Sequence, residues 1–385
     1  MLRYGASGAY SGCTRAQHAA PLRDQSMFRR GKKIVVAMSG GVDSSVAASL
    51  LIEQGYDVHG VSLRMWEGNH GPRVCSDHRG AAEVADMLCI PHTLLDLRAQ
   101  FAANVVKPFA RDYLHGRTPN PCVACNRDFK LGTLLHWARE QGAEFVATGH
   151  YARIAHQKDS CAALFRGADR AKDQSYFLFA LRREQLVRVM FPLGEMQKAE
   201  VRERARRLRL PAAERAESQD ICFGDYKELV ASYAEKDELR GGDVINRSGK
   251  ILGRHYGIHS VTVGQRRGLG IAAAEPLYVI DIDDKTKRVM VGKKEELRCV
   301  GLTAREVNWI VHPEQIEFTA EAQIRYRAPA VPCTVRSSMH DCCEVVFDEP
   351  VHGVTPGQAA VFYRGDQVLG GGWIERALKE RANTR

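Results

Sequence analysis

Ile34-Val35-Val36-Ala37-Met38-Ser39-Gly40-Gly41-Val42-Asp43-Ser44-Ser45 is the stretch on which the fold turns. Its first five residues are apolar and β-prone, the glycine pair ends the strand, and Asp-Ser-Ser opens an amphipathic helical pattern. Glycines let the backbone turn tightly and approach a ligand with no Cβ in the way. The helix that follows offers its first-turn N–H groups and positive dipole end to an anion. No Gly-Lys-Ser/Thr follows, so this is not a Walker A loop. Donors to phosphate oxygens are instead the hydroxyls of Ser39, Ser44 and Ser45, while Asp43 holds Mg²⁺ or orders the loop. The competing reading is a strand-to-helix turn that holds nothing.

Working outward, strand and helix alternate through the first half of the chain. The pattern predicts a helix over 44–54 stopped by Gly55, a strand over 57–63, and a helix over 77–89 capped by Ser76 or Asp77. A strand over 93–97 precedes a helix over 101–114, which Pro108 kinks or breaks. A helix over 129–141 ends at Gly142, and 144–148 is a buried strand. Repeated βα units predict an α/β fold with a parallel sheet and helices on both faces. Ligands of such sheets sit at the carboxyl ends of strands, where 39–45 and Thr148-Gly149-His150 both fall. Past residue 230 the helical signal fades. A hairpin over 276–282 and 288–292 is followed by short alternating strands over 306–310, 319–326, 333–337, 343–347 and 359–363, a pattern that predicts a small antiparallel β-barrel. The expected organisation is a leader or mis-assigned start over 1–31, a catalytic domain over 32–230, a central β-rich domain over 231–300 and a barrel domain over 301–385.

At 385 residues the chain needs more than one core. No apolar run approaches the roughly 20 residues of a transmembrane helix, so no membrane partner is expected. The net charge of +9 is concentrated in residues 1–33, which carry seven Lys/Arg against one Asp. A second excess, ten Lys/Arg against five Glu, lies over 182–215, with Arg202, Arg204, Arg206, Arg207 and Arg209 expected on one helix. A solvated basic face and an RNA-facing one fit that charge equally. The first 31 residues are Arg-bearing, Ser/Ala-rich and poor in acids, as an organelle transit peptide is; a start at Met27 is the alternative.

Eleven cysteines at irregular spacing argue against a disulfide scaffold and for a reducing compartment. Three stand apart. Cys122 and Cys125 lie in Gly116-Arg117-Thr118-Pro119-Asn120-Pro121-Cys122-Val123-Ala124-Cys125-Asn126, read as a stiff loop before a helix whose dipole would lower the Cys125 pKa. Cys222 lies in Glu217-Ser218-Gln219-Asp220-Ile221-Cys222-Phe223. A redox CxxC, a zinc site and a pair of working thiols, Cys125 with Cys222, all remain open on spacing alone.

Taken in order, these motifs resemble the tRNA-specific 2-thiouridylases of the MnmA/TrmU type. The resemblance runs from about Lys33 to Gly372 and rests on the 38–45 loop, Thr118-Pro119-Asn120-Pro121, Cys125-Asn126, Ala147-Thr148-Gly149-His150-Tyr151-Ala152-Arg153, Lys172-Asp173-Gln174-Ser175-Tyr176-Phe177, Ser218-Gln219-Asp220-Ile221-Cys222-Phe223, Gly264-Gln265-Arg266-Arg267-Gly268-Leu269-Gly270 and Gln323-Ile324-Arg325-Tyr326-Arg327. It implies a parallel-sheet ATP-pyrophosphatase domain (adenine nucleotide alpha-hydrolase-like), a small central domain and a C-terminal antiparallel β-barrel. The implied reaction is 2-thiolation of the wobble uridine in tRNA. ATP adenylates the C2 oxygen and sulfur displaces AMP. Under the resemblance Cys222 carries a persulfide, and Cys125 releases its sulfur by closing a transient disulfide with Cys222. Ala37, Met38, Ser39, Gly40, Gly41, Val42, Asp43, Ser44, Leu63 and Gly149 would bind ATP. Asn120, Pro121 and Cys122 would touch the extruded base. Lys172, Asp173, Gln174, Arg325 and Tyr326 would contact tRNA, with His150 and Gln358 aiding recognition.

The implied cofactors are ATP and Mg²⁺. The implied partners are tRNA and a persulfide sulfur donor or relay protein, in the cytoplasm or, if the leader is a transit peptide, an organelle matrix. One departure matters: many members have Asp where this chain has Cys122. Cys122, Cys125 and Cys222 as three ligands of a [4Fe–4S] cluster is therefore the alternative route for sulfur. A different ATP-pyrophosphatase ligase and a non-catalytic RNA-binding protein are the competing functions.

Overall fold

The computed structural model describes residues 31–66, 77–156, 161–211, 213–214, 221–222, 226–338 and 341–380. Residues 1–30 of the leader, Ser76, residues 218–220 and Phe223 lie outside these residues. The strands are β1 (Lys33–Ala37), β2 (Asp57–Arg64), β3 (His92–Asp96), β4 (Phe145–Ala147), β5 (Ala152–His156), β6 (Ala162–Arg166), β7 (Val189–Met190), β8 (Gly242–Ile245), β9 (Ile251–His255), β10 (Tyr278–Asp283), β11 (Arg288–Gly292), β12 (Arg298–Trp309), β13 (Glu317–Gln323), β14 (Val331–Ser338), β15 (Cys342–His352), β16 (Ala359–Arg364) and β17 (Gln367–Leu378).

A five-stranded parallel sheet in the order β3-β2-β1-β4-β7 forms the first half, as the βα alternation predicts. β1 sits at its centre with Ile34, Val35 and Val36 fully buried, as strands covered on both faces require. Helix α1 (Val42–Glu53) packs against it through Val46, Ala47, Ala48 and Leu51. This helix begins two residues earlier than its amphipathic pattern predicts, because Gly41 already takes the extended N-cap conformation. In α2 (His78–Met87), Asp77 is the cap, accepting from the Gly80 N–H at 3.0 Å.

Pro108 does not break its helix. Residues 98–114 run on through a π-helical stretch, Ala102–Val106, just ahead of the proline. The wider π turn relieves the clash between the ring and the carbonyl four residues back.

The central sheet has the order β10-β11-β8-β9, with the expected β10–β11 hairpin. The C-terminal strands run β12-β15-β14-β13-β16-β17, and β17 pairs back onto β12 to close a six-stranded antiparallel barrel. Two features were not foreseen. Closing strand β17 carries Gly370, Gly371 and Gly372, a run that reads as loop. A Cβ on Gly371 would lie 2.7 Å from Phe179, and one on Gly372 would lie 2.8 Å from Val307, so close packing demands the glycines. The second is the β5–β6 hairpin, which leaves the parallel sheet and joins the barrel sheet through Phe165 opposite Gln367.

Candidate active site

β1 and β4 are parallel neighbours, with Val36 opposite Ala147, so the loops that follow them leave the same edge of the sheet. They meet there. A Cβ on Gly149 would lie 2.8 Å from both Asp43 C and Ser44 N, so only glycine lets this loop reach the backbone of α1. Gly40 adopts φ +75°, and a Cβ there would stand 2.4 Å from the Asp77 carbonyl oxygen. The Asp77 N–H donates to the Ser39 carbonyl at 2.9 Å, which locks α2 against the loop. At α1 itself the N-cap residue Gly41 supplies no side-chain acceptor, so the first-turn donors are left for a ligand.

The hydroxyls divide. Ser44 and Ser45 both donate to the Gly41 carbonyl, at 3.1 and 3.0 Å, which tightens the turn. Ser44 Oγ also accepts from the Ser39 N–H at 3.1 Å. Ala37 ends β1 and Met38 follows it. The Met38 carbonyl accepts from Ser62 Oγ at 2.8 Å, and Leu63 is buried near the end of neighbouring β2.

Asp43 orders the corner. Lys198 Nζ donates to its two carboxylate oxygens at 2.7 and 2.8 Å, and the Tyr151 hydroxyl donates at 2.7 Å. Lys198 is buried at the start of helix Lys198–Arg207, where its own N–H bonds Asp169 Oδ2 at 2.9 Å. With three hydrogen bonds from two donor groups already on this carboxylate, Asp43 is the loop's charge anchor, and it is a poor candidate for a dedicated Mg²⁺ ligand. Sequence reasoning missed Lys198; Tyr151 stands inside the quoted 147–153 motif.

The segment with Cys122 and Cys125 is helix, not loop. Pro121 begins it, Asn120 is the N-cap, and Asn120 Oδ1 accepts from the Cys122 N–H at 3.2 Å. The helix continues through a π stretch, Cys125–Thr133, to Glu140. Cys125 therefore stands a full turn in, beyond the first N–H groups. It is buried, and its Sγ donates to Met65 Sδ at 3.7 Å. Half-buried Cys222 packs against the same apolar cluster that contains Cys125, and no disulfide joins them. Cys122, Cys125 and Cys222 are not gathered into a group that could hold a metal, and no such group of three or more His, Cys, Asp or Glu occurs among the described residues. Nothing in their placement supports an iron–sulfur cluster.

The remaining positions form a second assembly. Gln174 exchanges two bonds with Tyr151: its N–H donates to the Tyr151 carbonyl at 2.8 Å, and its Oε1 accepts from the Tyr151 N–H at 3.0 Å. Asp173 accepts from Gly167 N–H, Ser175 N–H, Ser175 Oγ and Arg166 Nη1 at 2.9 to 3.2 Å. The N–H of adjacent Lys172 donates to the Asp169 carbonyl at 3.1 Å. Arg325 and Tyr326 fall just past β13 rather than within it. The Tyr326 ring packs tilted against Phe177, with ring centroids 4.4 Å apart, so two motifs far apart in sequence share one face. His150 is buried, with Nδ1 2.6 Å from Thr148 Oγ1, and burial beside Lys130 pushes its pKa down to about 3. Gln358 Nε2 donates to the Thr118 carbonyl at 2.8 Å.

Residues 32–225 match a model described as the tRNA methyl transferase HUP domain; 227–293 match the tRNA methyl transferase PRC-barrel domain, and 300–374 the aminomethyltransferase beta-barrel domain. A tRNA-specific 2-thiouridylase MnmA from Syntrophotalea carbinolica is 51% identical over 90% of this chain and 100% of its own length. The MnmA of Geobacter metallireducens is 48% identical over 91% and 98%, and that of Pelobacter propionicus 48% over 90% and 98%. The chain belongs to the tRNA-specific 2-thiouridylase (MnmA) family.

Family membership brings the basic helix back into view, and its arginines are largely committed within the chain. Arg204 pairs with Glu53, Arg206 with Glu214 and Arg207 with Glu203. Arg209 lies past the helix end, with φ +53°. No helix among the described residues is long and apolar enough to cross a membrane.

Proposed function

We propose that this 2-thiouridylase family member is an ATP-dependent tRNA sulfurtransferase that converts the wobble uridine to 2-thiouridine, releasing AMP and pyrophosphate. Identity to MnmA relatives over their whole length carries the reading, and the corner built by Gly40, Gly41 and Gly149 against α1 supports it.

The chemistry follows from the substrate. A urea-like carbonyl is a poor electrophile, so ATP first adenylates its C2 oxygen. The first-turn N–H groups of α1 and the loop of Ser39, Gly40 and Gly41 hold the phosphates, and Lys198 keeps Asp43 neutralised beside them. Mg²⁺ would arrive on the triphosphate with its waters, shielding phosphate charge, since Asp43 is already engaged. The terminal sulfur of a Cys222 persulfide then attacks C2 and AMP leaves. The Cys125 thiolate attacks the Cys222 sulfur of the resulting C2–S–S–Cys222 link. The S–S electron pair departs on the C2 sulfur as 2-thiouridine, and a Cys125–Cys222 disulfide remains for an external thiol to reduce. The half-buried Cys122 at the helix start and Asn120 would flank the extruded base.

The test is mass spectrometry of tRNA nucleosides after incubation with ATP, Mg²⁺ and a persulfide donor, omitting each in turn. 2-Thiouridine is expected only in the complete mixture, and Cys125→Ser and Cys222→Ser should each abolish it. Its absence from the complete mixture, or full turnover by Cys125→Ser, would sink the proposal.

A further inference from the structure

Residues 116–120 lead straight into the cysteine helix and are held from outside on two sides. At Gly116 (φ +69°) a Cβ would lie 2.6 Å from Ile282 Cγ2 of the central sheet. At Thr118 the barrel takes over. The Thr118 N–H donates to the Pro356 carbonyl at 2.9 Å, and the Thr118 carbonyl accepts from Gln358 Nε2 at 2.8 Å. Between these two bonds stands Gly357, φ +92°, where a Cβ would fall 2.9, 3.0 and 3.1 Å from the N, C and O of Thr118. That barrel loop is itself fixed. The Gly357 N–H donates to the Ile374 carbonyl at 2.9 Å, and the Ile374 N–H donates to the Gln358 carbonyl at 2.8 Å. Arg325 Nη2 reaches the Gly353 carbonyl at 3.2 Å. Two residues beyond Thr118, the Asn120 side chain caps the helix at Cys122.

We infer that Gly357 and Gln358 are positioning residues for the sulfur chemistry: through the Thr118 backbone they hold Asn120 and the turn bearing Cys122 and Cys125 in register. The inference rests on the thiolation reading. Its physical basis is that catalytic groups tolerate little displacement; a shift of about 1 Å can cost on the order of a hundredfold in rate. Both holds on Thr118 run through its main chain, so the barrel grips the position of the segment whatever side chain it bears.

Two variants separate this role from an RNA contact. Gln358→Glu keeps the shape, but an ionised carboxylate has no proton to donate to the Thr118 carbonyl. Gly357→Ala forces the Cβ into Thr118. The readouts are iodoacetamide labelling of Cys122, followed by peptide mass spectrometry without substrates, equilibrium binding of unmodified tRNA transcript, and turnover at saturating tRNA. In both variants we expect Cys122 to label about tenfold faster and turnover to fall by about tenfold or more, with tRNA affinity within about twofold of wild type. Wild-type labelling in a folded variant would overturn the inference. So would tRNA binding weakened about tenfold with full turnover at saturation. If Gly357→Ala does not fold by circular dichroism, Gln358→Glu decides alone. If wild-type protein makes no 2-thiouridine, the functional proposal falls and the labelling arm still judges this one.

Discussion

Asp43 ties the glycine-rich corner to the rest of the molecule, and its partners show what a short motif can and cannot announce. Two roles for this carboxylate were legible, metal ligand or loop anchor; the structure places Lys198 and Tyr151 on it and favours the second. Lys198 had no local signal. It stands 155 residues away at an ordinary helix start, and only the packing of that helix beside α1 brings the ammonium home. Lys198→Met keeps the aliphatic stem and leaves a carboxylate about one-third exposed with the tyrosine alone. The expected cost is about 1–3 kcal/mol in urea unfolding, toward the lower end because water still reaches Asp43. AMP release in the presence of tRNA should fall about tenfold or more, a loss of roughly 1.4 kcal/mol in transition-state binding. Unchanged AMP release would remove Lys198 from the corner's chemistry.

At the scale of elements, periodicity found the parallel sheet and most of the barrel, and failed where a residue type has two structural meanings. Pro119 and Pro121 read together as a stiff loop, yet proline at the first helical position is a start signal, and Asn before it is a cap. The helix is therefore longer at its beginning than expected, and both cysteines ride on it. The π stretches at Ala102–Val106 and Cys125–Thr133 leave no mark in composition, since a widened ladder depends on what packs against it. The triple glycine of β17 hid a strand for the opposite reason: its backbone is needed against Phe179 and Val307, where side chains have no space. Asn120→Ala removes the cap on Cys122, and its expected cost is about 1 kcal/mol in a denaturant titration. Faster labelling of Cys122 should accompany it. A stability change with no change in labelling would show that the cap does not govern access to that thiol.

For the whole molecule, pH dependence follows from histidines that fold in the neutral form. Burial is the leading cause that lowers His59, His92, His150, His156 and His259 below the ordinary 6.5, and His150 goes down to about 3. The unfolded chain takes up protons at these sites below pH 6.5 while the folded chain resists. Stability is therefore fully present above that pH and is lost as pH falls toward the folded values, at up to about 1.4 kcal/mol per pH unit for each site. Urea midpoints should drop steadily from pH 7 to pH 5, and His150→Asn should flatten the slope by about one proton. An unaltered slope in that variant would mean that His150 is not among the groups responsible. None of this was readable in advance, because a histidine at a strand end gives no sign of how deeply the finished fold will cover it.

The β5–β6 hairpin carries one more implication. β6 pairs onto the β17 corner, Arg166 reaches Gln323 and lies 3.5 Å over the Tyr363 ring, and Arg153 and Arg170 both pair with Asp366. The barrel is thus not a detachable cassette. A chimera that transplanted only the C-terminal strands onto another enzyme would arrive stripped of this brace, with the flank of β17 bare to any passing backbone. A workable graft has to import residues 152–166 with it.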